Sequence, residues 1–382
     1  MKAVAVFPTA RTVRLVEHPA PRIGTATDVK LRMLEVGICG TDREICAFQY
    51  GSPPAGSDYL ILGHESLGEV VEIGAGVSRV RVGDLAVLRV RRPCARETCV
   101  ACRAGRQDFC YTGEFTERGI KDAHGFMAET VVDDEQYVHV VPRALREVGV
   151  LVEPLTIATK ALVQVEQVQQ RLPWACPVTP GKTPEFCHRA VVLGAGPVGL
   201  LGAMALVANG FETFIYSREP ATSIEATVAE TIGATYLCSE TESPERLAKR
   251  VGNIDLVYEA TGAAQVSFEV IEVLGVNGVF VFTGVPGRAG RLVIDADVIM
   301  RNLVLKNQVV FGTVNAGPQA FDAAILDLGV FMGRWPAAVR SLITGRHLVE
   351  AAPDLLLSKP VGIKNIIVFE RTGSQSAGGI TP

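Results

Sequence analysis

Three groups of side chains in this sequence have the types and spacing to do chemistry. The first is Cys39 in Gly37-Ile38-Cys39-Gly40-Thr41-Asp42, His64 in Leu62-Gly63-His64-Glu65, and the later Glu153. Taken singly, a free cysteine or a histidine beside an apolar run is more often a packed core residue. Together, a thiolate, an imidazole and a carboxylate hold zinc and leave one position open, as a catalytic zinc requires. Asp42 is expected to accept from the other nitrogen of His64. The second group reads Cys94-x4-Cys99-x2-Cys102-x7-Cys110. Four thiolates on a short loop suit a closed tetrahedral zinc, which would fold a lobe too small for its own core. The third is Gly194-Ala195-Gly196-Pro197-Val198-Gly199, set between the apolar runs Val191–Leu193 and Leu200–Leu201. In a dinucleotide-binding turn these glycines turn the chain, admit a pyrophosphate and let the helix pack on the sheet. The helix N-terminus then faces the phosphates.

These groups need elements to carry them. Residues 1 to about 35 alternate apolar and polar side chains and predict short antiparallel strands. Around the glycine turn, apolar runs at Thr213–Tyr216, Leu256–Tyr258, Gly278–Phe282 and Leu303–Phe311 predict further strands of a doubly wound parallel sheet. Pro318–Leu328 predicts a helix and Asn365–Phe369 a final strand. Arg171–Pro184 reads as a surface insertion or linker, and Thr372–Pro382 as a mobile tail. No charged residue falls between Arg189 and Glu212, but glycines and a proline break that stretch, so it does not read as a membrane span.

Composition agrees with two domains and a large core: 382 residues, 48% of them hydrophobic, 20% charged and 38 of them glycine. A net charge of −4 offers no basic stripe and argues against nucleic acid. The N-terminal Met1–Val6 enters a strand pattern directly, so the expected compartment is the cytoplasm, where the nine cysteines stay reduced.

The preferred cofactor is expected to be set at the end of the second strand, where an acidic residue would grip a ribose 2′-hydroxyl. Ser217 and Arg218 stand there instead, and a hydroxyl and a guanidinium suit a 2′-phosphate. NADP is therefore favoured, with Glu219 leaving NAD possible.

In their order and spacing, Gly37–Asp42, Gly63–Gly68, the four-cysteine lobe, Glu153-Pro154-Leu155 and Gly194–Gly199 resemble the zinc-dependent medium-chain alcohol dehydrogenases over nearly the whole chain. Gly105–Glu114, Gly119–Lys121, Gly125-Phe126 and Asn307–Asn315 are similar to the archaeal-type glucose 1-dehydrogenase branch. The resemblance implies a GroES-like β-rich catalytic domain (1–187 and 307–382, with the zinc lobe at 94–110) and an inserted Rossmann domain (188–306). It implies Cys39, His64, Glu65 and Glu153 about a catalytic zinc, and Cys94, Cys99, Cys102 and Cys110 about a structural one. Thr41, Glu114, Glu153 and Asn315 match positions that contact a sugar, and Thr41 can relay a proton. Thr283, Gly284 and Val285, then Thr313, Val314 and Asn315, match the nicotinamide end of the cofactor site. The implied reaction is hydride transfer from C1 of an aldose, best D-glucose, to NADP+, in a homodimer or homotetramer. The family usually separates its first two lobe cysteines by two residues; here there are four.

A polyol or a simple alcohol is the nearest rival substrate. A non-catalytic NADPH-binding protein is the rival of another class, and an open zinc site argues against it. The apolar Gly278–Val285 stretch is a candidate sheet edge for pairing between subunits.

Overall fold

A ten-residue strand, Asp28–Gly37, is the hub of the first half of the molecule. It takes Glu65–Ile73 antiparallel on one side. On the other side it takes Lys364–Val368 near its end and Thr130–Asp134 near its start. Leu85–Leu88, Val138–Val141 and Ile343–Leu348 complete the sheet. Lys2–Phe7, paired with Thr12–Glu17 and Leu60–Ile61, forms a smaller antiparallel sheet. Val4, Val6, Leu31, Met33, Val36, Leu62 and Phe126 fill a common core between these strands. The computed structural model describes residues 1–173, 188–287 and 290–369.

The second sheet has six parallel strands in the order Thr235–Cys238, Glu212–Ser217, Arg189–Leu193, Leu256–Glu259, Val279–Phe282, Val309–Gly312. This is the doubly wound order, with the switch point beside Arg189–Leu193, where such sheets bind ligands. Helix Pro197–Ala208 follows the glycine turn, and its middle, from Gly199 to Leu206, is buried.

The chain divides into two compact units, Met1–Glu153 with Ile343–Pro382, and Pro154–Leu342. This second unit extends on both sides of the expected 188–306. The sixth strand and helix Pro318–Arg334 lie inside the observed unit. The expected strand Leu303–Phe311 is two elements. Asp295 caps a helix that continues to Leu305, and Asn307, at φ +50°, turns the chain into the strand Val309–Gly312. The apolar side chains of Leu303 to Leu305 complete the last turn of that helix. Gly278–Val285 is accordingly not an edge, because its strand lies between two others; the edge strands of the described sheet are Thr235–Cys238 and Val309–Gly312. Most of the expected linker (174–184) and the tail Thr372–Pro382 lie outside the described residues. Among the described residues, no helix is long and apolar enough to cross a membrane.

Candidate metal centre and cofactor turn

Cys39 leaves the hub strand two residues after Gly37 and stands at the N-cap of the short helix Gly40–Cys46. Asp42, in the first turn, accepts from the Cys39 N–H at 2.8 Å and from the Gly63 N–H at 3.2 Å. One buried carboxylate thus ties both ligand-bearing loops together. Its Oδ1 also lies 3.4 Å from His64 Nδ1. Glu65 opens the strand that runs beside the hub, with its side chain folded over Gly37. A Cβ on Gly37 would stand 1.9 Å from Glu65 Oε2, so any larger residue there would displace the Glu65 carboxylate.

One ligand atom from each of Cys39, His64 and Glu65 falls within 4.8 Å of the others. His64 and Glu65 are buried, and Cys39 is partly open. A thiol, an imidazole and a carboxylate in one largely buried corner form a zinc-type donor set with room for a further ligand. Burial opposes a charge on His64, but Asp42 and the Cys39 thiol beside it raise the imidazole well above its ordinary value. Burial likewise pushes the Asp42 carboxyl up. His64 and the Cys39 N–H outweigh it and leave Asp42 below the usual range.

Glu153 opens the helix Val152–Gln169 and feels His64, Glu65, Lys364 and Asp42. Burial pushes its carboxyl up to about 7. Its oxygens are not part of the close Cys39–His64–Glu65 group. Thr41 lies in the first turn of the helix after Cys39. Lys364 was not legible as a site residue. Its ammonium is buried and lies 2.6 Å and 2.5 Å from the two Glu65 oxygens. Nothing local in the sequence marks it out, since 299 positions separate the pair.

The four lobe cysteines come together, with all sulfurs within 4.8 Å. Cys94 and Cys102 are 3.7 Å apart, Cys99 and Cys110 3.9 Å. Zinc–sulfur bonds in a regular tetrahedron set sulfurs roughly 3.8 Å apart, so the group fits a tetrathiolate zinc. Burial raises the Cys102 thiol to about 12. For Cys110, burial is outweighed by Thr112 and the neighbouring sulfurs, which bring its thiol down to about 6. The long spacer between Cys94 and Cys99 loops outward and is tied down. Arg96 grips Glu114 through two bonds of 2.6 and 2.8 Å, and the Tyr111 hydroxyl donates to the Thr98 carbonyl. Glu114 is therefore half-exposed in an ion pair on the lobe, apart from the Cys39–His64–Glu65 group. Glu117, three residues on, is the buried carboxylate of this segment, paired with Arg91.

In the second unit, Gly194 adopts φ +96°, and a Cβ on Gly199 would stand 2.1 Å from the Gly194 carbonyl. The turn thus needs glycine at both places. Space around Gly196 is open, and Pro197 and Val198 begin the helix. Ser217 ends the second strand and donates to Glu219 at 2.5 Å. Arg218 lies beside Glu219 at 3.3 Å and is 83% exposed. Glu259, fully buried, accepts from the Thr261 N–H and hydroxyl and the Gly262 N–H, and from the Gly284 N–H at 3.1 Å. Thr283 donates back to the Glu259 carbonyl. One carboxylate thus fixes the loop Thr283–Val285. The Thr313 hydroxyl is buried with no hydrogen-bond partner among the described residues. Lys160 donates to the Val314 carbonyl, and Asn315, at φ +59°, accepts from the Ala316 N–H. An open glycine turn at a helix N-terminus and an orphaned hydroxyl suit a bound dinucleotide.

Residues 146–369 match the family model described as glucose dehydrogenase C-terminus, and residues 25–143 that of the alcohol dehydrogenase GroES-like domain. The chain is 36% identical over 368 residues to a glucose 1-dehydrogenase of Methanocella arvoryzae, covering 96% of this chain and 99% of the relative. It is 38% identical over 371 residues to one of Metallosphaera sedula, covering 96% and 98%. Among solved structures it is similar to Haloferax mediterranei glucose dehydrogenase in complex with NADP, Zn and gluconolactone. That match has a TM-score of 0.86 and 31% identity, and covers 97% of this chain and 100% of the other.

Proposed function

We propose that this chain, which belongs to the glucose dehydrogenase family of GroES-like alcohol dehydrogenases, oxidises the C1 hydroxyl of an aldose to the lactone. NADP+ takes the hydride, and one proton is released per turnover. D-Glucose is the best substrate. The observation that carries this reading is the buried Cys39–His64–Glu65 group, one donor short of a closed zinc shell.

Cys39, His64 and a carboxylate hold the catalytic zinc. When bound, it supplies a Lewis acid that lowers the pKa of the substrate hydroxyl. The remaining work belongs to the chain. Asp42 fixes the His64 ring and holds the Cys39 and Gly63 loops in register. Thr41, two residues past Cys39, passes on the C1 hydroxyl proton. Glu153, whose carboxyl is pushed up to about 7, is matched to accept a proton near neutral pH. Glu114 contributes to sugar binding by exchanging Arg96 for hydroxyl groups, and an exposed ion pair is cheaply given up. Arg218 and Ser217 recognise the 2′-phosphate of NADP+. Cys94, Cys99, Cys102 and Cys110 hold a second zinc that folds the lobe. The compartment consistent with five thiolate ligands and free thiols is a reducing one, the cytoplasm.

We further infer a homodimer. The edge strand Val309–Gly312 pairs on one side only, and an open edge is a template for a second copy. Beside it in sequence, the helix Ala296–Leu305 exposes Met300, Val304 and Leu305. Light scattering on the purified chain tests this; a monomer at micromolar concentration would refute it.

The reaction is tested by following reduced nicotinamide with zinc-loaded protein and D-glucose, D-galactose, D-xylose, a polyol and ethanol, each with NADP+ and NAD+. The proposal expects aldose turnover, faster with NADP+. Turnover confined to ethanol or the polyol would remove the sugar assignment.

A further inference from the structure

Three hydroxyls line the carboxyl end of the parallel sheet. Tyr258 stands opposite Val281 in the neighbouring strand, and Val281 opposite Phe311 in the next. Thr283 and Thr313 each lie two residues further on. The ladder continues there, from the Thr283 N–H to the Glu259 carbonyl and from the Thr313 N–H to the Phe282 carbonyl. Side chains alternate along a strand, so Tyr258, Thr283 and Thr313 share one face. A diagonal neighbour two residues on is within reach of an aromatic side chain. Helix Pro197–Ala208 covers this face. A Cβ on Gly202 would stand 2.4 Å from the Tyr258 ring, so the helix makes room for the tyrosine by carrying glycine there.

Tyr258 is 1% exposed, and its hydroxyl has no hydrogen-bond partner among the described residues. Burial pushes the phenol up, and the Thr283 hydroxyl beside it draws it part of the way back. That hydroxyl donates elsewhere, to the Glu259 carbonyl at 2.6 Å, which leaves its oxygen able to accept. The Thr313 hydroxyl, last in the row, is orphaned as well. A buried hydroxyl without a partner costs stability that phenylalanine, of nearly the same shape, would not. The Tyr258 hydroxyl is accounted for by a state in which its bond to Thr283 is made. Doubly wound sheets bind ligands at this end of their strands, and the loop Thr283–Val285 leaves the sheet here.

We propose that Tyr258 is a positioning residue of the nicotinamide end of the cofactor site. With the dinucleotide bound, its O–H donates to the Thr283 hydroxyl oxygen and holds the loop Thr283–Val285 against the nicotinamide half. In the free protein that bond is unmade, so the hydroxyl favours the loaded state alone. The proposal rests on the dinucleotide reading of this sheet, and on neither the zinc nor the sugar.

The test uses the full-length protein as wild type, Tyr258→Phe, Thr283→Val and Thr283→Ser. Thermal unfolding is followed without cofactor. Calorimetry measures binding of NADPH and of adenosine 2′,5′-bisphosphate, which lacks the nicotinamide half. Tyr258→Phe is expected to melt at the wild-type temperature or higher, because it removes an unpaired buried hydroxyl. It is expected to bind NADPH about tenfold more weakly, the scale of one hydrogen bond, and the bisphosphate within about twofold of the wild type. Thr283→Val weakens NADPH likewise, Thr283→Ser keeps it, and Tyr258→Phe adds nothing on top of Thr283→Val. A folded Tyr258→Phe protein that binds NADPH as the wild type does overturns the proposal. So does one that melts lower and loses both ligands alike, or does not fold, since the hydroxyl then supports the free protein. Unchanged NADPH affinity in Thr283→Val overturns it independently. If the wild type binds neither ligand, the dinucleotide reading fails and the proposal with it. If it binds both and the variants do not differ, the proposal alone falls.

Discussion

Asp42 and His64 stand 3.4 Å apart, carboxylate Oδ1 to imidazole Nδ1, with Asp42 wholly sealed from solvent. A carboxylate at that place favours a ring proton on Nδ1, which would leave Nε2 as the metal donor. Asp42→Asn keeps the shape and removes the charge. It is expected to weaken catalytic-site zinc by roughly 10–100-fold, the effect typical of such partners. Equilibrium dialysis against a zinc buffer measures it, with the four-cysteine lobe unaffected.

Glu153 makes the zinc-free protein sensitive to pH. Its folded-state pKa, about 7, lies above the ordinary 4.5. Between those values the unfolded chain has released a proton that the folded chain still holds. Stability therefore falls as pH rises from about 4.5 to 7, by about 3 kcal/mol in the limit. Glu153→Gln removes that slope. Urea unfolding of zinc-depleted protein at pH 5 and pH 7.5 checks it: the wild type loses stability across the window, while the variant changes less.

The proposed tetrathiolate zinc would hold the four-cysteine lobe folded. Cys110→Ser is expected to bind one zinc fewer and to destabilise the lobe by at least about 3 kcal/mol, part of the roughly 10–16 kcal/mol such a site supplies. Limited proteolysis reads this locally, with new cleavage confined to residues 94–114.

At the cofactor turn, the Arg218 guanidinium pairs with Glu219 among the described residues and is 83% exposed. Arg218→Ala is expected to raise KM for NADP+ by roughly tenfold and to leave KM for NAD+ within about twofold. Glu219→Ala frees the guanidinium and moves KM for NADP+ the other way.

What could be read in advance depended on sequence distance. The glycine turn and the cysteine lobe are local, so their spacing alone carries their geometry. Cys39 and His64 were legible because each sits in a short glycine-bounded segment, and the structure brings them together with Glu65. Lys364 was hidden, because a lysine opening the final strand reads as a surface residue until the sheet lays it beside Glu65. Glu114 was expected to contact a sugar, and the structure places it in an exposed ion pair with Arg96. Its Arg96 partner arises from the unusually long Cys94–Cys99 spacer, which spacing rules do not describe. The run Leu303–Phe311 was read as one strand because apolar side chains continue through it. The break is made by the backbone at Asn307.

The central claim is a zinc-dependent aldose dehydrogenase whose catalytic metal rests on Cys39 and His64. Its most direct test is zinc content measured together with glucose turnover, for the wild type and for His64→Ala. The account predicts two zinc ions per chain and NADP+-linked glucose oxidation in the wild type. It predicts one zinc ion and turnover lower by at least about a thousandfold in the variant, the scale of losing an electrostatic catalyst. Two zinc ions in folded His64→Ala, or undiminished turnover, would contradict it.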